Sequence, residues 1–513
     1  MTTKITTIAN IGLENYFVVV EADMSRSLPG IEIVGLPDSA VKEAKERIKS
    51  AFRNLNISLP PRRIVLNLAP SNVKKVWSRF DFPMAIAIWA LLNEESELPL
   101  LKEAIFLGEL GLDGSLRKIN GILPSVIHAF KNWRRKFFIP KDNLEEIKFI
   151  NDIEVYPIEN LQEALDQIMS TASGQTFSYT YNDIVEFTQK DTLTFEDIKG
   201  QQFVKRALSI AAAGLHNVLL VGPPGSGKSL LLKSLASILP PMSFEEILEV
   251  SQLYSIIWDL GPEKPLVVNR PFRHVHHTAS KVSIIWWGSA LFPGEVSLAH
   301  NGVLFFDELP EFPREVLEVL RQPLEDGFVT ISRAHGSVRY PASFMFVAAM
   351  NPCKCWYFGD KEKACRCSMN EIKRYQSKIS WPLLDRFDLL LEVHRESVDT
   401  LLWSWEPELS TEKIKEKVAQ AWEVQHRRYS NEVFNRNSQL TPQAIKKYIK
   451  LNNQAEEFLK QASKQLILSP RVIHRILKVA RTLADFEWFE WDLELSFIAE
   501  VLQYRSKEMF VEI

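Results

Sequence analysis

Long apolar runs are missing from this chain. None of its 513 residues belongs to the roughly 18 consecutive apolar positions that a membrane span requires, and the run near the start, Phe17 to Val20, stops at Glu21. Neither an anchor nor a secretory leader is expected, and a cytoplasmic location follows. Cysteine is scarce: four residues, all between 353 and 367. That clustering excludes a scattered disulfide framework and points to one local site in a reducing compartment. An excess of either charge is also absent. With 61 basic and 64 acidic residues and a net charge of −3, any anionic polymer has to be held by a local basic surface or a central pore. Glycine is short as well, 20 residues where about 7% of the chain is usual, while tryptophan reaches 13. What is present, 46% hydrophobic and 24% charged residues, describes a globular protein of two to four domains.

Residues 1–170 mix short β-rich runs (Phe17 to Val20, Ile64 to Leu68, Lys136 to Ile139) with helical patterns. Asp38 is placed to cap a helix, VKEAKERIKSAFRNL, whose apolar stripe is Val41, Ala44, Ile48 and Phe52. Residues 171–193 are polar, Ser/Thr-rich and aperiodic, as a linker is. From 194 to 395 strand-like and helical runs alternate, which predicts a parallel α/β sheet. Residues 396–513 turn helical, with Thr441-Pro442 and Ser469-Pro470 as helix starts.

The strongest motif lies in the α/β segment. Asn217 to Val221 reads as a buried strand and runs into Gly222-Pro223-Pro224-Gly225-Ser226-Gly227-Lys228-Ser229, followed by the helical LLLKSLASIL. This is GxxxxGK[ST] in its strand–loop–helix setting. Its glycines let backbone N–H groups curl around phosphates at a helix start. Lys228 then neutralises β/γ-phosphate charge and the Ser229 hydroxyl ligates Mg²⁺. A second strand, Val303 to Phe306, ends in Asp307-Glu308, where acids face the phosphate crevice. Asp307 is assigned to Mg²⁺ and Glu308 to the attacking water. A third strand, Phe344 to Met350, ends at Asn351, which is either a turn residue before Pro352 or a contact to the γ-phosphate. Arg386, in LLDRFD, and Arg471, in SPR, are either structural ion-pair partners or guanidinium groups for developing phosphate charge.

These stretches, with GLPDSAVKEAKERI, RRIVLNLAPSNVKK, FLGELGLDGSLRKINGILP, PGEVSLAHNGVLFFDELPEF and LRQPLEDGFVTISRA, resemble the magnesium-chelatase-like AAA+ ATPases of the YifB/ComM family over nearly the whole chain. The resemblance implies an α/β chain with an N-terminal Lon-protease-like (ribosomal S5-type) domain over 1–170, a linker over 171–193, a P-loop AAA+ parallel-sheet core over 194–395 and a C-terminal helical lid over 396–513. It also implies ATP and Mg²⁺ as cofactors, a hexameric ring, Arg386 as arginine finger, Arg471 as sensor 2 and Asn351 as sensor 1. Family members studied for natural transformation are branch-migration motors, which implies DNA in the pore. Two segments offer basic groups for it: Arg333, His335 and Arg339 on an expected hairpin, and Arg270, Arg273, His274, His276 and His277. Exposed basic loops of no special role read the same way. A chelatase-like or chaperone-like remodeller of a protein partner is the alternative. A protease is disfavoured: near Ser78 a Lon-type dyad needs a lysine from the 119–124 stretch, and INGILP has none.

Cys353-x-Cys355 and Cys365-x-Cys367 form two pairs in one polar segment. Four thiolates suit tetrahedral zinc, although C-x-C is tighter than the usual C-x₂-C. Reduced or redox-linked thiols are the other reading. Tryptophan stands where the family carries glycine at Trp77, Trp286, Trp287, Trp356, Trp381 and Trp488, and Trp133 and Trp258 follow the trend. Tryptophan is the worst substitute wherever the backbone turns left-handed or packs closely. Genuine aromatic substitution is one explanation. UGA codons read as glycine by the cell is the other, and it accounts for the glycine deficit and the tryptophan excess together.

Overall fold

The computed structural model describes residues 2–72, 75, 78–170, 173–185, 193–287, 291–333, 336–360, 362–396 and 410–505. Its first region is built on β1 (Thr3–Ile11), β2 (Glu14–Ser25), β3 (Gly30–Val34), α1 (Ser39–Asn54), β4 (Arg63–Ala69), α2 (Asp81–Leu92), β5 (Ile105–Phe106), α3 (Ile122–Lys131), β6 (Lys136–Pro140), β7 (Glu154–Ile158) and β8 (Gln175–Thr176). The eight strands form one mixed sheet in the order β8-β7-β6-β5-β1-β2-β4-β3. The expected cap is in place: Val41 N donates to Asp38 Oδ1 at 2.8 Å, and Val41, Ala44, Ile48 and Phe52 are fully buried. Helix α2 is apolar all round and buried nearly throughout, as such a helix must be. The expected linker is not wholly aperiodic. Gly174 N donates to Glu154 Oε1 at 2.7 Å, and β8 then pairs antiparallel with β7, so the segment adds an edge strand before leaving the sheet.

The second region starts at α4 (Gln202–Gly214) and carries β9 (Val218–Val221), α5 (Lys228–Ser234), α6 (Phe244–Ile256), β10 (Phe272–Val275), β11 (Val303–Phe306), the hairpin β12 (Phe328–Arg333) and β13 (Gly336–Pro341), β14 (Met345–Met350), α7 (Met369–Gln376) and β15 (Leu389–Glu392). Strands β10-β11-β14-β9-β15 form an all-parallel five-stranded sheet. Residues of β9, β11 and β14 are buried end to end, which explains their unbroken apolar runs. The order places the ends of β9, β11 and β14 side by side.

The C-terminal helices are α8 (Thr411–Arg428), α9 (Pro442–Tyr448), α10 (Asn453–Gln465), α11 (Pro470–Phe486) and α12 (Leu495–Gln503). Thr441 and Ser469 cap α9 and α11 directly before Pro442 and Pro470, as expected. The helices pack on α4, where Trp422 Nε1 donates to Ala212 O at 3.1 Å and Gln425 Nε2 to Ala213 O at 2.8 Å. Asp388, just before β15, is paired with Arg475 of α11 and lies 3.5 Å from His216 Nδ1. Burial works to raise the Asp388 carboxyl, but Arg475, His216 and Lys478 overcome it and hold the group well below the usual carboxylate range.

The first region docks on the end of α6. The last carbonyls of a helix have no partner within it. Ser255 O and Ile256 O here accept from Gly121 N at 2.9 Å and Asn120 Nδ2 at 3.2 Å, and Lys118 Nζ donates to Leu260 O at 2.6 Å. Gly12 closes the contact at the hairpin: a Cβ there would stand 2.5 Å from both Tyr340 Oη and Val338 Cγ1.

Four tryptophans have left-handed backbones: Trp133 (φ 64°), Trp258 (φ 65°), Trp356 (φ 76°) and Trp488 (φ 62°). Trp133, Trp258 and Trp488 each stand at the second position past a helix, after α3, α6 and α11. The next residue there closes a six-residue return bond: Arg134 N to Ala129 O at 3.0 Å, Asp259 N to Tyr254 O at 3.1 Å and Phe489 N to Ala484 O at 2.8 Å. That motif favours glycine at its left-handed position. All four indoles are exposed, by 48% or more, whereas Trp89 and Trp422 are 8% and 6% exposed. Trp286 and Trp381 have no positive φ, so the backbone does not oppose an aromatic there. Trp77 and the Trp287 side chain lie outside the described residues.

Candidate nucleotide site

The residues from Gly222 to Ser229 leave the end of β9 and enter α5. Gly225 (φ 77°) and Gly227 (φ 86°) take backbone shapes that L side chains avoid, and no heavy atom lies within 4 Å of where their Cβ atoms would stand. Gly222 is there for a different reason: a Cβ would meet Val393 O at 2.2 Å. Ser226 Oγ donates to Pro223 O at 2.9 Å and stiffens the turn. Lys228 Nζ donates to Gly222 O and Pro223 O, both at 2.8 Å, and to Asn351 Oδ1 at 3.3 Å. Its ammonium therefore sits on neutral acceptors, and among the described residues no carboxylate is in contact with it. Burial pushes its pKa down to about 8, and Asp307 and Glu308 pull weakly the other way.

Ser229 Oγ donates to Asp307 Oδ2 at 2.7 Å, so a hydroxyl of α5 and a carboxylate at the end of β11 meet where one cation can take both. Glu308 follows with φ 53° and a half-exposed side chain whose Oε2 lies 3.5 Å from His277 Nδ1. Open cradle, neutral-held lysine and paired hydroxyl and carboxylate fit a magnesium–nucleoside triphosphate. The fold brings together Gly222, Pro223, Pro224, Gly225, Ser226, Gly227, Lys228, Ser229, Asp307 and Asn351.

Arg386 and Arg471 are elsewhere. Arg386 is nearly buried; Nη1 donates to Pro382 O at 2.7 Å and Nη2 pairs with Glu325. With Arg471, Arg475 and Lys478 of α11 it lines a cleft of about 720 Å³ between the sheet and the C-terminal helices, to which no residue of 222–229 contributes.

In the segment 270–277 both arginines are paired, while His274 and His276 are exposed. Arg270 is held by Glu246 at 2.7 Å, Arg273 by Glu295 at 2.6 Å, and the His274 ring stacks on Phe305 at 4.7 Å. Arg273 and His274 belong to β10, and Arg270 lies in the irregular stretch just before it, its side chain buried where charge is tolerated only when paired. The hairpin β12–β13 forms as expected. Arg339 is exposed with its guanidinium 3.4 Å over the Phe328 ring; His335 and the Arg333 side chain lie outside the described residues. At the N-terminal candidate, Ser78 Oγ donates to Glu109 rather than to an amine. The neighbouring Arg79 is buried and donates to Asn10 Oδ1 at 2.5 Å and Asn120 O at 3.0 Å.

The four cysteines converge. Their Sγ atoms all lie within 4.8 Å of one another, with Cys353–Cys355 and Cys355–Cys365 at 3.4 Å and Cys353–Cys365 at 3.7 Å. Disulfide sulfurs would be about 2.05 Å apart, whereas the edge of a tetrahedron with bonds of about 2.3 Å is about 3.8 Å. Cys367 N donates to Cys365 Sγ at 3.4 Å. Burial works to raise the Cys355 thiol, but N–H donors of Tyr357 and Arg366 and the neighbouring thiols bring it down to about 6. Burial and neighbouring thiols raise the other three. The set fits one soft divalent cation.

A phosphate cradle at the end of a parallel-sheet strand, with a hydroxyl and carboxylate paired beside it, defines a P-loop nucleotide-binding protein. The family described as "Magnesium chelatase, subunit ChlI" matches residues 194–401, "Subunit ChlI of Mg-chelatase" matches 20–143, and "Magnesium chelatase, subunit ChlI C-terminal" matches 408–505. Competence protein ComM of Haemophilus influenzae is 39% identical over 507 residues, covering 97% of this chain and 96% of that protein. YifB of Escherichia coli is 37% identical over 498 residues, again 97% and 96%. The 38 kDa magnesium-chelatase subunit of Rhodobacter capsulatus is 28% identical over 31% of this chain and half of its own. The chain belongs to the YifB/ComM family of magnesium-chelatase-like AAA+ ATPases. Among the described residues, no helix is long and apolar enough to cross a membrane.

Glu325 on Arg386 and Arg395, whose Nη2 lies 3.4 Å from Pro224 O, are not signalled by the sequence, and His277, read there only as a basic group for DNA, stands beside Glu308. Each partner is distant in sequence, so no spacing betrays it.

Proposed function

We propose that the chain is an ATP-hydrolysing ring motor that moves DNA, with Lys228 on the phosphates, Ser229 and Asp307 on Mg²⁺, Glu308 on the attacking water and Asn351 beside the γ-phosphate. The observation that carries the reading is the meeting of Ser229, Asp307, Lys228 and Asn351 at the ends of three adjacent strands. When bound, magnesium and nucleotide supply the phosphoryl electrophile; the chain's own groups hold charge and orient water. His277 positions Glu308. Arg386 and Arg471 share a cleft apart from their own cradle, which supports their serving a neighbour's nucleotide across the interfaces of a homo-hexamer. The lid is the α8–α12 bundle, and the first region is a Lon-like fold without catalysis, its Ser78 hydroxyl donating to Glu109. The four cysteines hold a structural zinc ion, and the compartment is the cytoplasm.

DNA is favoured by the relative named as a competence protein and by the exposed Arg339 on its hairpin. The second reading, a remodeller of a protein partner, is favoured by three family matches that carry a chelatase subunit's name. The deciding experiment is ATP turnover with single-stranded, duplex and branched DNA. Stimulation by at least one form is expected. Absence of both stimulation and binding with all three would replace the DNA reading with the second.

A further inference from the structure

The loop that carries the four cysteines begins two residues after Asn351 and ends at Ser368, the cap of α7. Between the two cysteine pairs its described residues make no regular structure; instead they surround one side chain. Arg395, three residues past β15, lies 3.7 Å from Asp360 Oδ2, donates to Glu362 Oε2 at 3.2 Å, and stands 5.8 Å from the centre of the Tyr357 ring. Asp360 is itself braced, its Oδ1 accepting from Glu362 N at 2.8 Å and Lys363 N at 3.2 Å. The same Nη2 that faces Asp360 also donates to Pro224 O, inside the phosphate cradle, at 3.4 Å. A carbonyl held outward there leaves the amides that follow it free to face phosphate.

Resting on the zinc reading above, we infer that metal bound by Cys353, Cys355, Cys365 and Cys367 sets the cradle's affinity for nucleoside di- and triphosphates, with Arg395 as the positioning residue between them. The metal closes the loop and so removes most of the chain entropy that would otherwise free Tyr357, Asp360 and Glu362 from Arg395. Arg395 touches no reacting atom.

The test uses the full chain. Zinc per chain is measured by plasma mass spectrometry, and affinity for a fluorescent ADP is titrated before chelation, after it, and after zinc is restored. One zinc per chain is expected, with binding about tenfold weaker without it and recovered on restoration, the loss expected for one charged hydrogen bond. Arg395→Ala should retain its zinc and melting temperature yet show the same loss, with Arg395→Lys between it and the parent. Zinc that binds without changing nucleotide affinity overturns this inference alone. A chain that takes up no zinc overturns the zinc reading and this inference together.

A different observation carries a second inference. Trp133, Trp258 and Trp488 close helices in the conformation that favours glycine, Trp356 turns left-handed between two cysteines, and all four indoles stand in solvent. We propose that these four positions are glycine in the protein the cell makes, encoded by UGA. Reading the codons and weighing the peptides of the native protein tests it. UGA codons with glycine in the peptides are expected; UGG codons, or tryptophan in the peptides, would overturn it.

Discussion

Among the left-handed turns of this molecule, those of the cradle and those at the ends of three helices differ in the residue that stands there. In the cradle, Gly225 and Gly227 are both glycine, and the space around them is open, room that the proposed phosphate would take. At the ends of α3, α6 and α11 the same turn is made by tryptophan, and the indole projects into water. The first position is constrained from two sides, by torsion and by a ligand; the second by torsion alone. Only the first is a matter of function.

Breaking the comparison at the cradle has the largest effect. Gly227→Val is expected to lower nucleotide affinity by at least ~100-fold, from torsional strain plus a side chain in the phosphate space, with a melting temperature shifted by only a few degrees. Calorimetric titration with ADP and a thermal melt check it. Lys228→Ala should abolish turnover in the same assay. Glu308→Gln comes next: hydrolysis should fall by about 10²–10⁴-fold while ATP stays bound, as removal of a general base predicts, seen as ATP retained on the protein after gel filtration.

The pH dependence of binding sharpens the comparison, because it belongs to the cradle only. Lys228 without nucleotide has its pKa lowered to about 8, and phosphate favours its charged form. Bound protons are thus lost from the free protein first, so ADP affinity should fall as pH rises above 8, by up to ~tenfold per pH unit. The stability of the free chain should move in the opposite sense. Its unfolded state keeps the proton up to the ordinary lysine pKa, so stability contributed by this group increases between about pH 8 and about 10.4. Affinity that stays level from pH 7 to 9.5 would exclude the buried lysine as the phosphate group.

The smallest effect is at the helix ends. Trp133→Gly, Trp258→Gly and Trp488→Gly should each stabilise the chain by about 1 kcal/mol with turnover unchanged, measured by denaturant melts. Trp422→Gly is the control. Its buried indole spans Ala212 O and the Arg270 and Arg436 guanidinium groups, so it should destabilise by several times as much.

The strands 218–221 and 303–306, the capped helix α1 and the helices started by Thr441-Pro442 and Ser469-Pro470 were legible because their signals are local: unbroken apolar runs, a cap, a proline at the first turn. The cradle was legible because its spacing is itself the chemistry. The basic segment 270–277 was only partly legible, since counting arginines and histidines cannot reveal Glu246 and Glu295, which come from other elements and pair with its two arginines. The edge strand at 175–176 was hidden in a polar stretch that needs Glu154 to receive it. Arg395 and His277 depend on how separate strands lie beside one another, which periodicity does not encode.

Asp388 has a mechanical consequence. It lies two residues beyond Arg386, and Arg475, one turn along α11 from Arg471, is clamped to it. Because Asn217, at the root of β9, is bonded to Asp388 and to Arg386 O, the strand feeding the cradle joins the same linkage. A tilt of α11 therefore cannot be absorbed by a loose hinge. It is geared, through one carboxylate, to the nearly buried Arg386 on one side and to the strand that runs into Gly222 on the other.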